Sequence, residues 1–282
     1  GCQPCGILHC RTRTRKGIPM FASQDILQGC MEIVRQSGDI IREHWAKPSN
    51  VRHKGRIDLV TQTDLAVEAF LKEKLADLVP GAAFMAEESS QSEREPDGLC
   101  WIIDPVDGTT NFVHRIPQVA TSVALWNKDH VELGVVNIPM MHECFSAQRG
   151  QGAFLNGAPI AVSSAETMGN ALVATGFPYD FTGRLERILE RLAIMLPKSQ
   201  GMRRMGAAAV DMAYVACGRV DMFYEEGLKP WDFAAGLLLV DEAGGRVTNM
   251  RGKPLRFGDV LLASNGLVHD EAVALLGPTD VS

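Results

Sequence analysis

The segment Trp101-Ile102-Ile103-Asp104-Pro105-Val106-Asp107-Gly108-Thr109-Thr110 runs an apolar stretch directly into two carboxylates, then into a glycine and two hydroxyls. Acids held this close raise each other's pKa unless a cation lies between them, and hard oxygen donors of this kind suit Mg2+. The Gly108-Thr109-Thr110 run that follows can turn consecutive backbone N–H groups and two hydroxyls toward a phosphate oxyanion. Asp104 and Asp107 are also ordinary turn residues, because Pro-x-Asp-Gly favours a turn whatever its chemistry. Two more acidic segments add to the pattern: Ala86-Glu87-Glu88-Ser89 after apolar Ala82 to Met85, and Lys229-Pro230-Trp231-Asp232 at the start of an apolar run. Taken singly, Asp232 reads as a helix cap or first-turn acid, and Glu87 with Glu88 as a solvated loop pair. Together they favour a divalent-metal site.

Other chemistries lose their usual support. No Walker phosphate loop, G-x-G-x-x-G, G-x-S-x-G or H-E-x-x-H motif occurs, and the acid spacing is wrong for an EF-hand. The formal net charge of −6 gives no electrostatic reason to expect nucleic acid as the main ligand. No apolar run approaches the length of a membrane span, so no membrane association is expected. Seven widely spread cysteines fit a reducing, cytoplasmic setting better than a disulfide framework. Cys2, Cys5, His9 and Cys10 could form a zinc knuckle, but no second spaced pair accompanies them. Residues 1–19 are basic, free of acids and aperiodic, and are expected to form a disordered tail of upstream-translated, cloning or transit-peptide origin.

The elements that must position these residues follow from periodicity. Ser23 can cap a helix over Gln24 to Trp45, and a second helix is expected from Asp64 to Leu78, ended by Pro80-Gly81. Strands follow at Leu99 to Ile103, Val119 to Trp126, Val131 to Ile138 and His142 to Ala147, the pattern of an antiparallel sheet behind two helices. Beyond Ser163 the texture alternates: strands at Ala171 to Thr175, Val220 to Tyr224, Arg246 to Thr248 and Val260 to Ala263, and helices near Arg184 to Met195, Ala207 to Cys217 and Asp232 to Glu242. The expected organisation is an α+β half at 20–162 carrying the metal site and an α/β half at 163–282 completing it. With no flexible linker between the halves, a site at their interface is natural.

Four segments in this order carry a resemblance: Asp58-Leu59-Val60-Thr61-Gln62-Thr63-Asp64, Ala86 to Ser89, Trp101 to Phe112, and Trp231-Asp232-Phe233-Ala234-Ala235-Gly236. The chain resembles the inositol monophosphatase family of lithium-sensitive, magnesium-dependent phosphatases from about Ser23 to Gly277. The resemblance implies a layered αβαβα sandwich and a homodimer. It implies two or three Mg2+ ions held by Glu87, Asp104, Asp107, Asp232 and the carbonyl of Val106. It also implies that Asp64 and Thr109 activate the attacking water with help from Glu87, and that Gly108, Thr109 and Thr110 cradle the phosphate. Asp107, Ala208, Glu225 and Asp232 would contact substrate hydroxyls, with Lys54 on a loop that can reach the metals. The substrate it implies is inositol 1-phosphate; related esters are fructose 1,6-bisphosphate, histidinol phosphate and 3′-phosphoadenosine 5′-phosphate. A reading of another class is a regulatory protein that keeps the fold and associates with transcription or RNA machinery, for which the intact acid set gives no need. A protein that stores divalent metal without turnover is a third.

Overall fold

The computed structural model of the chain describes residues 24–47, 51–53, 59–90 and 92–280, with 51–53, 59 and 60 described by backbone alone. The expected tail at 1–19, the cap at Ser23, and Lys54 and Asp58 lie outside the described residues.

Helix α1, Gln24–Trp45, buries Cys30, Val34 and Ile41 along one face. A two-stranded antiparallel ribbon follows, β1 at Val51–His53 and β2 at Leu59–Thr61. Helix α2 spans Gln62–Leu78 and starts two residues before the expected Asp64, because Thr61 is its N-cap and Asp64 the third helical residue. A seven-stranded sheet comes next in sequential order: β3 Ala83–Ala86, β4 Leu99–Asp107, β5 Ala120–Asn127, β6 His130–Ile138, β7 Glu143–Gln148, β8 Gly152–Leu155 and β9 Ala158–Ile160. One turn of helix, α3 at Thr109–Val113, interrupts it between β4 and β5. The second sheet has five strands in the order β11-β10-β12-β14-β13, at Gly201–Arg203, Leu172–Thr175, Met222–Glu225, Leu261–Ser264 and Arg246–Asn249. The helices between its strands are α4 Leu185–Met195, α5 Ala208–Ala216 and α6 Pro230–Glu242, and α7 His269–Leu276 follows them.

Three apolar cores glue these elements into five layers. The first joins α1 and α2 to one face of the seven-stranded sheet through residues such as Val34, Leu71, Trp101 and Val123. The second fills both sides of the α5–α6 layer: Ile102, Ala124 and Val136 from the large sheet meet Met212, Leu238 and Leu239, and Phe223 and Ala263 close it from the small sheet. The third packs Met195, Ala272 and Leu276 of α4 and α7 on the outer face of the small sheet. Each sheet is thus covered on both faces, which is why its inward strands read as continuous apolar runs rather than alternation. The fold is the expected αβαβα sandwich.

Two departures matter for the site. The large sheet is not wholly antiparallel: β3 runs parallel to β4, with Ala86 opposite Ile103. Four residues are too few to announce a strand by periodicity. Strand β4 also continues beyond Ile103 through Asp107, pairing Asp104 with Ser122 and Asp107 with Ala120. Three steps on β4 against two on β5 leave one extra residue, a bulge that bends the strand and re-aims its side chains.

Candidate active site

The parallel pairing of β3 with β4 sets Glu87 beside Asp104, and the Glu87 N–H extends the ladder by donating to the Ile103 carbonyl at 3.2 Å. The bulge then separates the fates of the two strand acids. Asp104 is 2% exposed, its Oδ1 accepting the Val106 N–H at 3.0 Å. Asp107 reaches across to α5, where its Oδ2 accepts the Ala209 N–H at 2.7 Å, a carboxylate on the positive end of a helix.

Helix N-termini hold two further acids. Asp64 is fully buried in a capping box, its Oδ2 accepting the Thr61 N–H at 2.9 Å and the Thr61 hydroxyl at 2.5 Å. Its other oxygen, Oδ1, lies 3.1 Å from the Thr109 Oγ1, which is also 3.1 Å from the Val106 carbonyl. Asp232 repeats the arrangement on α6, with Oδ2 accepting the Lys229 N–H at 2.7 Å behind Pro230. Gly108 precedes α3 at φ +86°, and a side chain there would stand 2.8 Å from the Gln118 carbonyl oxygen, so only glycine lets the strand turn into the helix at this point.

A cleft of about 320 Å3 opens over these groups, lined by Glu87, Asp107, Arg204, Ala208, Glu225 and Asp232 among others, so both sheets contribute to it. Asp64, Asp104 and Thr109 are buried and do not line it. Glu225 occupies the space a side chain at Gly176 would need, its Oε2 only 1.9 Å from where that Cβ would be.

The electrostatics are those of packed like charges. Burial raises Asp104 well above the carboxylate range, and the charges of Glu87, Asp107, Asp232 and Asp64 add to it. Burial likewise raises Asp107 and Asp232 to about 7, against the hydrogen bonds from Ala209 and Lys229 that lower them. Glu225 is raised to about 8, by burial and by Asp232. Asp64 is raised by burial, with Thr61 and Thr109 pulling the other way.

Such a set fits a divalent cation by the chemistry of its donors, since every one is a hard oxygen and the neighbouring acids oppose the ionisation of Asp104, Asp107 and Asp232. Among the described residues no three Asp, Glu, His or Cys side chains close on one point as a cage. The carboxylates are instead distributed over the cleft, an arrangement in which an ion takes one or two protein oxygens and completes its shell with water and phosphate, the usual way of holding Mg2+.

The structure therefore brings together Glu87, Asp104, Val106, Asp107, Gly108, Thr109 and Asp64 through β3, β4 and the starts of α2 and α3, with Ala208, Glu225 and Asp232 arriving from the other sheet's elements. Thr110 is half-buried in the only turn of α3. Sequence reasoning did not single out Thr61 or Asp211. Thr61 was legible as the start of Thr-x-x-Asp ahead of an apolar run. Asp211, on α5, is a buried acid in an otherwise apolar helix; neither of its oxygens has a hydrogen-bond partner, and Glu225 and Asp107 raise it further. Lys229 is exposed and pairs with Glu93 at 2.8 Å on the cleft's rim.

Residues 23–277 match the model of the inositol monophosphatase family. Among curated proteins, the chain is 39% identical to the inositol-1-monophosphatase of Synechocystis, covering 93% of each sequence. It is 38% identical to the fructose-1,6-bisphosphatase/inositol-1-monophosphatase of Thermotoga maritima, over 89% of this chain and 96% of that one. A solved structure similar to it is the extragenic suppressor protein suhB of Bartonella henselae, with a TM-score of 0.84 at 34% identity, over 89% of this chain and 98% of that one. No described helix is long and apolar enough to cross a membrane.

Proposed function

The chain belongs to the inositol monophosphatase family, and from that premise we propose that it hydrolyses the phosphate monoester of a small metabolite with Mg2+, inositol 1-phosphate first among the candidates. One observation carries the reading: Glu87, Asp107 and Asp232 stand close enough to buried Asp104 for their charges to raise it, beside the Asp64–Thr109 hydrogen bond.

In this reading Glu87, Asp104, Asp107, Asp232 and the Val106 carbonyl hold two or three Mg2+ ions. Bound there, Mg2+ neutralises phosphate and carboxylate charge, lowers the pKa of water and stabilises the leaving alkoxide. The backbone and hydroxyls of Gly108, Thr109 and Thr110 orient the phosphoryl group at the start of α3. The Thr109 hydroxyl accepts a hydrogen bond from the attacking water and donates its own proton toward Asp64 Oδ1, with Glu87 flanking the water. Asp64, raised by burial yet tied by Thr61, is a stronger base than a solvated carboxylate and cannot swing away. Asp107, Ala208, Glu225 and Asp232 meet the substrate's hydroxyls, and no covalent intermediate is needed. A homodimer in the cytoplasm belongs to the same reading, and light scattering in solution tests the assembly.

Fructose 1,6-bisphosphate is the second candidate, because the Thermotoga relative bears that activity in its name. Phosphate release measured with and without Mg2+, and with added Li+, across inositol 1-phosphate, fructose 1,6-bisphosphate, histidinol phosphate and 3′-phosphoadenosine 5′-phosphate separates the cases. Mg2+-dependent, Li+-inhibited turnover favouring inositol 1-phosphate is the expected result. Preference for another ester keeps the site and changes the substrate, and no turnover on any of the four leaves the regulatory reading.

A further inference from the structure

Beside the catalytic cleft is a second cavity, of about 250 Å3, whose lining includes Arg184, Arg187, Arg191, Glu226 and Asp280. Its chemistry is opposite in sign to the cleft's. Arg184 is the N-cap of α4, and Arg187 and Arg191 follow at three- and four-residue steps, so one side of the helix presents all three. They converge on one carboxylate. Arg191, buried, donates from Nη1 to Glu226 Oε2 and from Nε to the Thr279 hydroxyl at 2.9 Å. Arg187 Nη2 and Arg184 Nε lie 3.4 Å and 3.8 Å from the remaining oxygen, Glu226 Oε1.

A carboxylate offers about four acceptor sites, fewer than the donors of a single guanidinium, so Glu226 cannot satisfy three of them. The charges do not balance either. Among the described residues, Arg184, Arg187 and Arg191 share the one carboxylate of Glu226, an excess of three minus one, while Asp280 on the same cavity wall pairs with Arg251 at 3.2 Å. The exposed Asp180 also feels Arg184, but through solvent. A purely structural ion-pair network gains nothing from uncompensated like charge at a partly buried site, where an unpaired charge is costly. The excess is aimed outward: the Arg184 and Arg187 side chains are 37% and 32% exposed while Arg191 anchors the cluster from below.

The two cavities meet at Gly227, which lines both. A Cβ there would stand 2.7 Å from Arg184 Nη1, so the absence of a side chain lets the guanidinium lie against the backbone between them. Glu225 lines the cleft and the next residue, Glu226, lines the second cavity, as side chains on opposite faces of one extended segment do.

We infer that this cavity is a second anion site, taking a dianionic phosphoryl group on Arg184 and Arg187. Guanidinium forks match phosphate oxygens in pairs, and the two surplus positive charges match the dianion. Two sources share this chemistry: the distal phosphate of a bisphosphorylated substrate reaching past Gly227, or free inorganic phosphate.

The test begins with calorimetric titration of inorganic phosphate into the full chain in EDTA, where the acidic cleft repels phosphate; this step does not depend on the phosphatase reading. The wild type takes up one phosphate, and Arg184→Gln/Arg187→Gln weakens it by about tenfold or more, as expected on losing charge-assisted bonds. Both side chains are partly exposed, so the double variant keeps its fold, which its melting curve checks. With Mg2+ present, a fall in kcat/KM for fructose 1,6-bisphosphate but not for inositol 1-phosphate in the double variant identifies the distal phosphate as the source. Unchanged turnover of both esters together with lost phosphate uptake identifies free phosphate. The inference is overturned if the wild type takes up no phosphate in EDTA, if the double variant binds it equally well, or if uptake is lost in Thr110→Ala instead.

Discussion

Replacing Gly134 with alanine asks whether Asp232 depends on how closely α6 lies on the large sheet. Gly134 is in β6, a strand hydrogen-bonded on both sides, by β5 and β7. A Cβ added there would be 2.8 Å from the Ala235 carbonyl oxygen and 3.0 Å from the Ala235 Cα. Non-bonded carbons settle at about 3.5–4.0 Å, so the helix must retreat by roughly half an ångström or more. It has little room, because α6 is sandwiched: Met212 already sits 2.6 Å from the Cβ position of Gly236 on the same helix. Overpacking of this kind costs about 1–3 kcal/mol, against which the lower chain entropy of alanine returns about 0.4–1 kcal/mol. A net loss of about 1–2 kcal/mol lowers the melting temperature by roughly 2–8 °C in a chain of this size. Asp232 lies one turn before Ala235, so the retreat carries its carboxylate away from Asp104 and Asp107. If a 1 Å misplacement can cost about 100-fold, half of that predicts about a tenfold fall in kcat with a raised Mg2+ half-saturation. Gly169→Ala is the matched control: nothing lies within 4 Å of its Cβ position, and it should change stability by less than about 0.5 kcal/mol. Thermal melting and Mg2+-dependent phosphate release are the assays. A Gly134→Ala protein with wild-type melting and kcat would refute the reasoning about α6.

Asp104→Asn should lower kcat by more than about 100-fold, a larger loss than removing an outer partner of a metal ligand causes, without lowering the melting temperature in EDTA; residual turnover near wild type would remove Asp104 from the site. Thr109→Ala should cost about 100-fold or more in kcat with a smaller change in KM, because it deletes the hydroxyl that joins water to Asp64. Mg2+ at about a hundred times its Kd should stabilise the wild type by about 2.7 kcal/mol, and Asp107→Asn should lose most of that gain in calorimetry. His269 is buried between Thr248 and Ser264, and burial lowers its pKa from 6.5 to about 4. The unfolded chain therefore takes up this proton first, so the contribution is present above pH 6.5 and is lost as pH falls toward 4, worth at most about 3 kcal/mol. Urea unfolding at pH 7 and 4.5 should show a smaller pH dependence in His269→Gln than in the wild type.

Residue type and spacing alone carried much of this protein. The periodicity of Gln24 to Trp45 and the apolar run into Asp104 are local properties, because a helix face or a buried strand must repeat at the spacing of the backbone itself. So too is the chemistry of Asp-Pro-Val-Asp-Gly-Thr-Thr, and with Glu87 and Asp232 it made a carboxylate set legible before any contact was known, whereas Asp64 joined that set only through the family resemblance. What spacing could not say is which acids meet. Glu87 reaches Asp104 through a four-residue parallel pairing, and parallel register between distant segments leaves no local signature. One extra residue in β4 leaves Asp104 buried and sets Asp107 on the N-terminus of α5, a division that the identical side chains do not foretell. The spacing of Arg184, Arg187 and Arg191 does not disclose that Glu226, just after β12, stands among them or that Gly227 opens onto both cavities. Local free energies choose helices and strands within a few residues, whereas the meeting of charges across the two sheets is settled only when the apolar cores close and fix every register at once.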